Sequence, residues 1–90
     1  MKVFIVLYEN RTIDGLECEI VSIHKKRKGA IKAVAKKKAE ILENWGVTDI
    51  NHMKEGYEIG ENHDGYFMIF DNYDVDRTEV SIEEQELLED

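Results

Sequence analysis

The sequence contains no proline and a single cysteine, Cys18. A lone cysteine excludes an internal disulfide, and a chain without disulfides suits a reducing compartment. The longest apolar run extends from Val3 to Tyr8, far below the roughly 18–20 residues that a membrane span requires. No small-residue cleavage site follows this run. We therefore predict neither a signal peptide nor a membrane span, and we expect a cytoplasmic protein.

Sequence signatures of catalysis and cofactor binding are also missing. The three histidines, His24, His52 and His63, have neither the spacing of a zinc site nor paired cysteines to complete one. The sequence has no glycine-rich phosphate loop and no local signature of a serine or cysteine nucleophile. We therefore predict no catalytic residues, no metal, no cofactor and no enzymatic activity.

Hydrophobic periodicity predicts a single domain over residues 1–90 with one helix. Apolar residues recur at helical spacing from Ala30 to Trp45, and Gly46 follows as a stop signal. Asp14-Gly15 and Asp64-Gly65 are turn signals, each lying between runs with strand periodicity. The predicted elements are strands at residues 3–8 and 16–23, a helix at 26–45, and strands at 57–62 and 66–70. Residues 78–83 alternate as an edge strand does, whereas Ser81 followed by Glu84 resembles a capping box that opens a short helix; we favour the strand.

This element order, ββαββ(β), predicts an α+β fold with two layers. We expect a mainly antiparallel sheet of four or five strands with the central helix packed on one face. In the second strand, Leu16, Cys18 and Ile20 alternate with polar residues, so we predict that these three are buried. The acidic last strand is predicted at the sheet edge, where charge discourages aggregation, and the tail from about residue 84 is predicted to fray.

Positive charge is concentrated in one segment of an acidic chain. Residues 24–38 carry eight lysines and arginines and no acid, although the whole chain has a net charge of −8. Clustered ammonium groups attract phosphates by releasing counterions, but no aromatic side chain lies among these lysines to stack on bases. Three interpretations stay open: a solvated helix face, a nucleic-acid or nucleotide-binding surface, or a contact surface for an acidic protein partner. The predicted basic patch is Lys25, Lys28, Lys32, Lys36 and Lys37.

Negative charge dominates the C-terminal half. Residues 39–90 hold sixteen acids against Lys54 and Arg77, and many of these acids fall on the predicted strands and the tail. Strands can present regularly spaced negative charge, which competes for a basic groove on a nucleic-acid-binding protein. The alternative is ordinary solubilising charge. The predicted acidic interaction surface is Glu58, Asp71, Asp74, Asp76, Glu79, Glu83, Glu84 and Glu86.

The layout of the chain resembles that of small uncharacterised acidic α/β proteins encoded by phages and mobile elements. The resemblance is carried by the opening strand Lys2-Val3-Phe4-Ile5-Val6-Leu7-Tyr8, a helix containing Ala30-Ile31, and the closing Val80-Ser81-Ile82-Glu83-Glu84. It transfers no site residue. It implies a context in which such proteins bind and inhibit host machinery, including immune nucleases.

These observations predict a non-catalytic binding protein. We expect a phage or mobile-element inhibitor of a host protein, such as a defence nuclease, that acts through its acidic surface. The alternative is a nucleic-acid or nucleotide-binding module that uses the lysine-rich segment 25–38. The expected partner is a protein; a homodimer is compatible with the apolar strands.

Overall fold

A computed structural model describes residues 1–73 and 75–88 of the chain. It contains one helix and five strands, so the predicted α+β class is confirmed. Both predicted hairpins are present, and each strand extends beyond its predicted bounds. In chain order the elements are β1 (Lys2–Thr12), β2 (Gly15–His24), α1 (Arg27–Asn44), β3 (Tyr57–His63), β4 (Tyr66–Asp71) and β5 (Arg77–Glu86).

The five strands form one antiparallel sheet in the order β2-β1-β5-β4-β3. The last strand therefore lies in the centre of the sheet, and the prediction of an acidic edge strand was wrong. It pairs with β1 over ten positions, from Lys2 opposite Glu86 to Arg11 opposite Arg77. The edges are β2 and β3.

The prediction of a frayed tail from about residue 84 was also wrong for the part of the tail that the structure describes. β5 continues to Glu86 because β1 offers it a partner along its whole length. Beyond the strand, the backbone N–H of Leu87 donates to the carbonyl oxygen of Met1 at 2.7 Å. Residues 89–90 lie outside the described residues.

The helix ends where the sequence predicts, and its C-terminus shows why. Gly46 adopts a left-handed backbone conformation with φ of 72°. Its N–H donates to the carbonyl of Glu43 at 3.0 Å, and the N–H of Val47 donates to that of Leu42 at 2.9 Å. This is the Schellman arrangement, which satisfies carbonyls that a helix end leaves without partners. Leu42 and Val47 both pack against the core.

The core lies between the helix and one face of the sheet. Alternate side chains of a strand point to opposite faces, and the pairing register aligns them across strands. Val6, Phe67, Ile69 and Val80 are fully buried and share one face, which we call the covered face. The helix contributes the buried Ala30, Val34 and Ile41 to the same cluster.

The opposite face, which we call the open face, has no helix above it in the described part of the chain. Register places Leu16, Cys18 and Ile20 of β2 here, opposite Arg11, Glu9 and Leu7. All three are exposed, so their predicted burial was wrong. Alternation separates the two sides of a strand but does not reveal which side the helix covers.

Candidate interaction surfaces

The predicted basic patch is only partly assembled. Lys28, Lys32 and Lys36 lie four residues apart along one line of the helix, and all three are exposed. Lys25 precedes the helix and is also exposed. These four lysines form the surface that we call the lysine face. It is a solvated row of point charges with no ion pair to a described residue.

Lys37 does not belong to the lysine face, contrary to the prediction. Its ammonium group lies 3.6 Å from a carboxylate oxygen of Glu19 and 3.5 Å from one of Glu40. The same group lies 4.4 Å from the centre of the Tyr8 ring. Lys37 therefore attaches the helix to β1 and β2, because its side chain reaches back over the covered face.

The predicted acidic residues do not form one continuous surface. Glu58, Glu79 and Glu83 project from the open face. Glu84 and Glu86 lie on the other side of the sheet, where Glu84 is 3.5 Å from Lys2 and Glu86 is 3.1 Å from the N-terminal amine. The predicted acidic surface is thus divided, with Glu58, Glu79 and Glu83 on one side of the sheet and Glu84 and Glu86 on the other.

Three further acids cluster in sequence around the β4–β5 turn. Asp71 is 7 % exposed, so it does not project from an exposed acidic surface as predicted. Asp76 is half-buried and lies with Asp71 in a cleft on the covered side. Asp74 lies outside the described residues.

The open face combines acids with exposed apolar side chains. Leu16, Ile20 and Ile23 of β2 are 50 %, 60 % and 59 % exposed. Half-buried apolar side chains continue the surface across the other strands: Ile5, Leu7, Met68 and Phe70. Large apolar residues gathered on one face are unusual on a monomer and mark an interaction surface.

A hydrogen-bonded acid cluster lies at the centre of the open face. Glu9 and Glu79 are directly opposite each other on β1 and β5. The Tyr66 hydroxyl donates to Glu79 Oε2, and Arg77 Nη2 lies 4.0 Å from an oxygen of each carboxylate. Because one guanidinium faces two carboxylates, the cluster keeps a net negative charge when both are ionised.

The pKa values of this cluster follow from its hydrogen bonds. The adjacent carboxylate of Glu79 raises the pKa of Glu9 above its ordinary value. Burial acts to raise the pKa of Glu79, but hydrogen bonds from Tyr66 and Glu9 outweigh it and leave that pKa low. Burial and the bond to Glu79 raise the pKa of Tyr66 to about 12. At neutral pH the phenol therefore remains a donor.

Sequence reasoning missed the open face as a unit. The alternating apolar residues of β2 are evident in the sequence, but their pattern predicted a place in the core. Glu9 and Tyr66 were not singled out, because nothing in their local sequence distinguishes them from other strand residues. The place of Glu9 follows from the pairing of β1 with β5, about 70 residues apart in the chain, and that of Tyr66 from the pairing of β4 with β5.

Comparison of the chain with models of protein families, with curated proteins and with solved structures found no match. Among residues 1–73 and 75–88, no helix has the length and apolar character needed to cross a membrane. In the same part of the chain, no three histidine, cysteine, aspartate or glutamate side chains are grouped to hold a metal ion.

Proposed function

We propose that this chain is a non-catalytic binding protein that attaches through the open face of its sheet to an apolar, positively charged protein surface. The observation that carries the proposal is the coincidence of exposed apolar side chains and excess negative charge on one face. The side chains of Leu16, Ile20 and Ile23 supply apolar surface area that is removed from water when a partner binds. Glu79 and Glu83 supply the charge.

The charge of the open face favours a different protein over a second copy of this chain as its partner. In a symmetric dimer the same patch meets itself, so Glu79 and Glu83 would approach their own counterparts. Like charges brought together in this way disfavour association. The described open face carries Glu9, Glu58, Glu61, Glu79 and Glu83 against Arg11 and Arg77 only. A basic partner therefore complements it better than a second copy does.

The partner class that we propose is a host enzyme that acts on nucleic acid, such as a defence nuclease. Such enzymes present basic grooves, and an acidic face can occupy a groove of that kind in place of a phosphate backbone. The resemblance to small acidic proteins of phages and mobile elements supports the same class.

Crosslinking with mass spectrometry tests the proposal. Basic proteins retained by heparin from a bacterial host lysate are incubated with the chain and treated with a carbodiimide, which joins carboxylates to lysines. We expect crosslinks from Glu58 and Glu83 to lysines of basic proteins, and competition by duplex DNA. Ile20→Ser combined with Glu83→Lys should abolish capture. Lys32→Ser, on the lysine face, is the matched control and should leave capture unchanged.

Two outcomes would overturn this function. If capture depends on Lys32 and not on Ile20 and Glu83, the helix and not the open face is the working surface. If light scattering shows a stable dimer that Ile20→Ser dissociates, the open face is a contact between copies.

A second function is favoured by one observation: Lys28, Lys32 and Lys36 are exposed and unpaired with any described acid. A nucleic-acid-binding module would use them as a row of phosphate contacts. It predicts gel-shift binding to duplex, single-stranded DNA or RNA at low salt, with steep loss as salt rises. Lys32→Glu with Lys36→Glu would abolish that binding, whereas Ile20→Ser would not.

A further inference from the structure

A cleft opens on the covered side of the sheet, where the C-terminal turn of the helix meets the ends of β1 and β4. Its volume is about 360 Å³, enough for a small molecule or one long side chain. Its walls include three aromatic residues, Tyr8, Trp45 and Tyr57, and two acids, Asp71 and Asp76. The cleft is separate from the open face, so a ligand bound in it is independent of the proposed function.

The aromatic residues of the wall are of the type that interacts with cations. The rings of Trp45 and Tyr57 meet edge to face, with centroids 5.0 Å apart and an interplanar angle of 73°. Lysines of the chain already lie over Tyr8 and Tyr57, at 4.4 and 5.5 Å from the ring centres. None of the described cations lies over Trp45 in the same way. Indole is the strongest of the aromatic partners for a cation.

A chain of hydrogen bonds fixes the indole in place. Trp45 Nε1 donates to Thr78 Oγ1 at 3.0 Å, and Thr78 Oγ1 donates to Asn10 Oδ1 at 2.9 Å. Indole N–H is a donor only, so the hydroxyl must accept from it and donate onward to the amide oxygen. Thr78 is 2 % exposed, which holds this chain rigid at the base of the cleft. A ligand would therefore meet a preformed wall and lose less free energy to ordering.

The acids of the cleft form no ion pair with a described lysine or arginine, although Arg11 and Arg77 line a neighbouring pocket together with both of them. Asp71 Oδ1 accepts the backbone N–H of Tyr73 at 2.8 Å, and the backbone N–H of Asp71 donates to the carbonyl of Asp76 at 2.9 Å. No lysine or arginine of the described chain lies within 4.0 Å of either carboxylate. A buried carboxylate is costly unless a positive group accompanies it. The cleft therefore has a place for an added cation.

We propose that this cleft binds an organic cation, an ammonium or guanidinium group on a short apolar stem. The positive group would neutralise Asp71 and Asp76, and the apolar substituents would lie against Trp45. The same chemistry is found in a free amine and in a lysine or arginine side chain of a partner. An anion is disfavoured by the two carboxylates, and an uncharged apolar molecule would leave them without a countercharge.

Trp45 is the only tryptophan, so its fluorescence reports on the cleft directly. The chain is titrated with choline at constant ionic strength, and in parallel with 3,3-dimethylbutan-1-ol, which has the same shape without the charge. N-acetyl-arginine amide and N-acetyl-trimethyllysine amide represent a side chain from a partner. We expect a saturable change in emission with at least one cation and no saturable change with the alcohol.

Substitutions connect the signal to the cleft. Asp71→Asn keeps an acceptor for Tyr73 and should weaken binding at least about tenfold, a difference of about 1.4 kcal/mol. Asp76→Asn, at a more exposed position, gives a second measurement if Asp71→Asn lowers stability. Asp64→Asn, in the exposed β3–β4 turn, is the matched control and should bind as the unaltered chain does.

The outcomes are separable. Saturation by choline supports the proposal with a free amine as the source, and saturation only by the two amino-acid amides supports it with a partner side chain as the source. Equal responses to choline and to the alcohol would overturn it, as would no saturable response to any cation. So would cation binding that Asp71→Asn and Asp76→Asn leave unchanged. Failure of the carbodiimide crosslinking to basic host proteins would not affect any of these results.

Discussion

The two faces of the sheet are built from the same five strands, yet they have different neighbours and different composition. The covered face is apolar at its centre, with Val6, Phe67 and Val80 fully buried beneath the helix. At the equivalent centre of the open face lie Glu9 and Glu79, with apolar residues exposed towards the β2 edge. Burial on one face stabilises the fold, whereas exposure on the other leaves apolar area available for a partner.

Apolar residues therefore have two distinct roles in this small domain. Those under the helix remove area from water during folding and contribute about 25 cal/mol for each Å². The exposed ones on the open face contribute less to folding in the isolated chain, and they can contribute to association instead. Adjacent residues of one strand can accordingly differ sharply in their effect on stability.

The largest expected difference between the faces is at β4. Phe67 is fully buried on the covered face, whereas Phe70 is half-buried on the open face. We expect Phe67→Ala to lower the free energy of unfolding by about 3–5 kcal/mol, because it removes a core ring and leaves a cavity. Phe70→Ala should lower it by about 1 kcal/mol, in proportion to its partial burial. Urea denaturation followed by circular dichroism measures both.

The control for Phe67→Ala and Phe70→Ala is to repeat the denaturation at several protein concentrations. If Phe70→Ala costs as much as Phe67→Ala, and the cost grows with concentration, then a second copy covers the open face in solution. The difference between a covered and an open face would then hold only for the monomer.

Local signals predicted much of this fold. The helix end follows from Gly46, whose positive φ favours glycine, and both hairpins follow from Asp-Gly turns between apolar runs. These features depend on residues that are neighbours in the chain, so they can be read from sequence alone.

Long-range pairing explains why other features could not be predicted. The pairing of β1 with β5 joins residues such as Tyr8 and Val80, and no local pattern specifies it. The acids of β5 are typical of an edge strand, yet the strand is central. Glu79 and Glu83 lie on the open face, and Glu84 and Glu86 lie on the other side near Lys2 and the N-terminal amine. Likewise, the cleft brings together residues of the helix and of β1, β3, β4 and β5, and no spacing in the sequence anticipates it.

A smaller loss of stability is expected when the buried hydroxyl of Thr78 is removed. Thr78→Val keeps the shape of the side chain but leaves the Trp45 N–H and the Asn10 oxygen without their partner. Because unsatisfied buried groups are costly, we expect the free energy of unfolding to fall by about 1–3 kcal/mol. The open-face counterpart on the same strand, Ser81→Ala, should change it by no more than about 0.5 kcal/mol. Thermal and urea denaturation provide the comparison.

A double substitution tests whether the hydrogen bonds act as a unit. If Thr78→Val combined with Trp45→Phe costs clearly less than the sum of the two single changes, the residues are coupled as the geometry indicates. Full additivity would contradict the network.

The smallest expected effect is an increase in stability, and it comes from a substitution on the open face. Glu9 and Glu79 lie directly opposite each other, and like charges in that position destabilise a sheet by about 0.2–1 kcal/mol. Glu9→Gln removes one charge and supplies an amide donor to Glu79. We therefore expect it to raise the free energy of unfolding at neutral pH by an amount in that range. Glu58→Gln, on the same face of β3, is the matched control.

The advantage of Glu9→Gln should depend on pH. The folded pKa of Glu9 lies above its ordinary value of 4.5, so its contribution to stability is complete below pH 4.5 and is lost as the pH rises through the folded pKa. The gain from Glu9→Gln should accordingly be greatest at neutral pH and should shrink as the pH falls towards 4.5. The pKa of Glu79 is lowered, so Glu79→Gln should show no such gain and should lose the bond from Tyr66. Equal behaviour of the two variants across this range would show that the pKa values of the two carboxylates are not shifted in opposite directions.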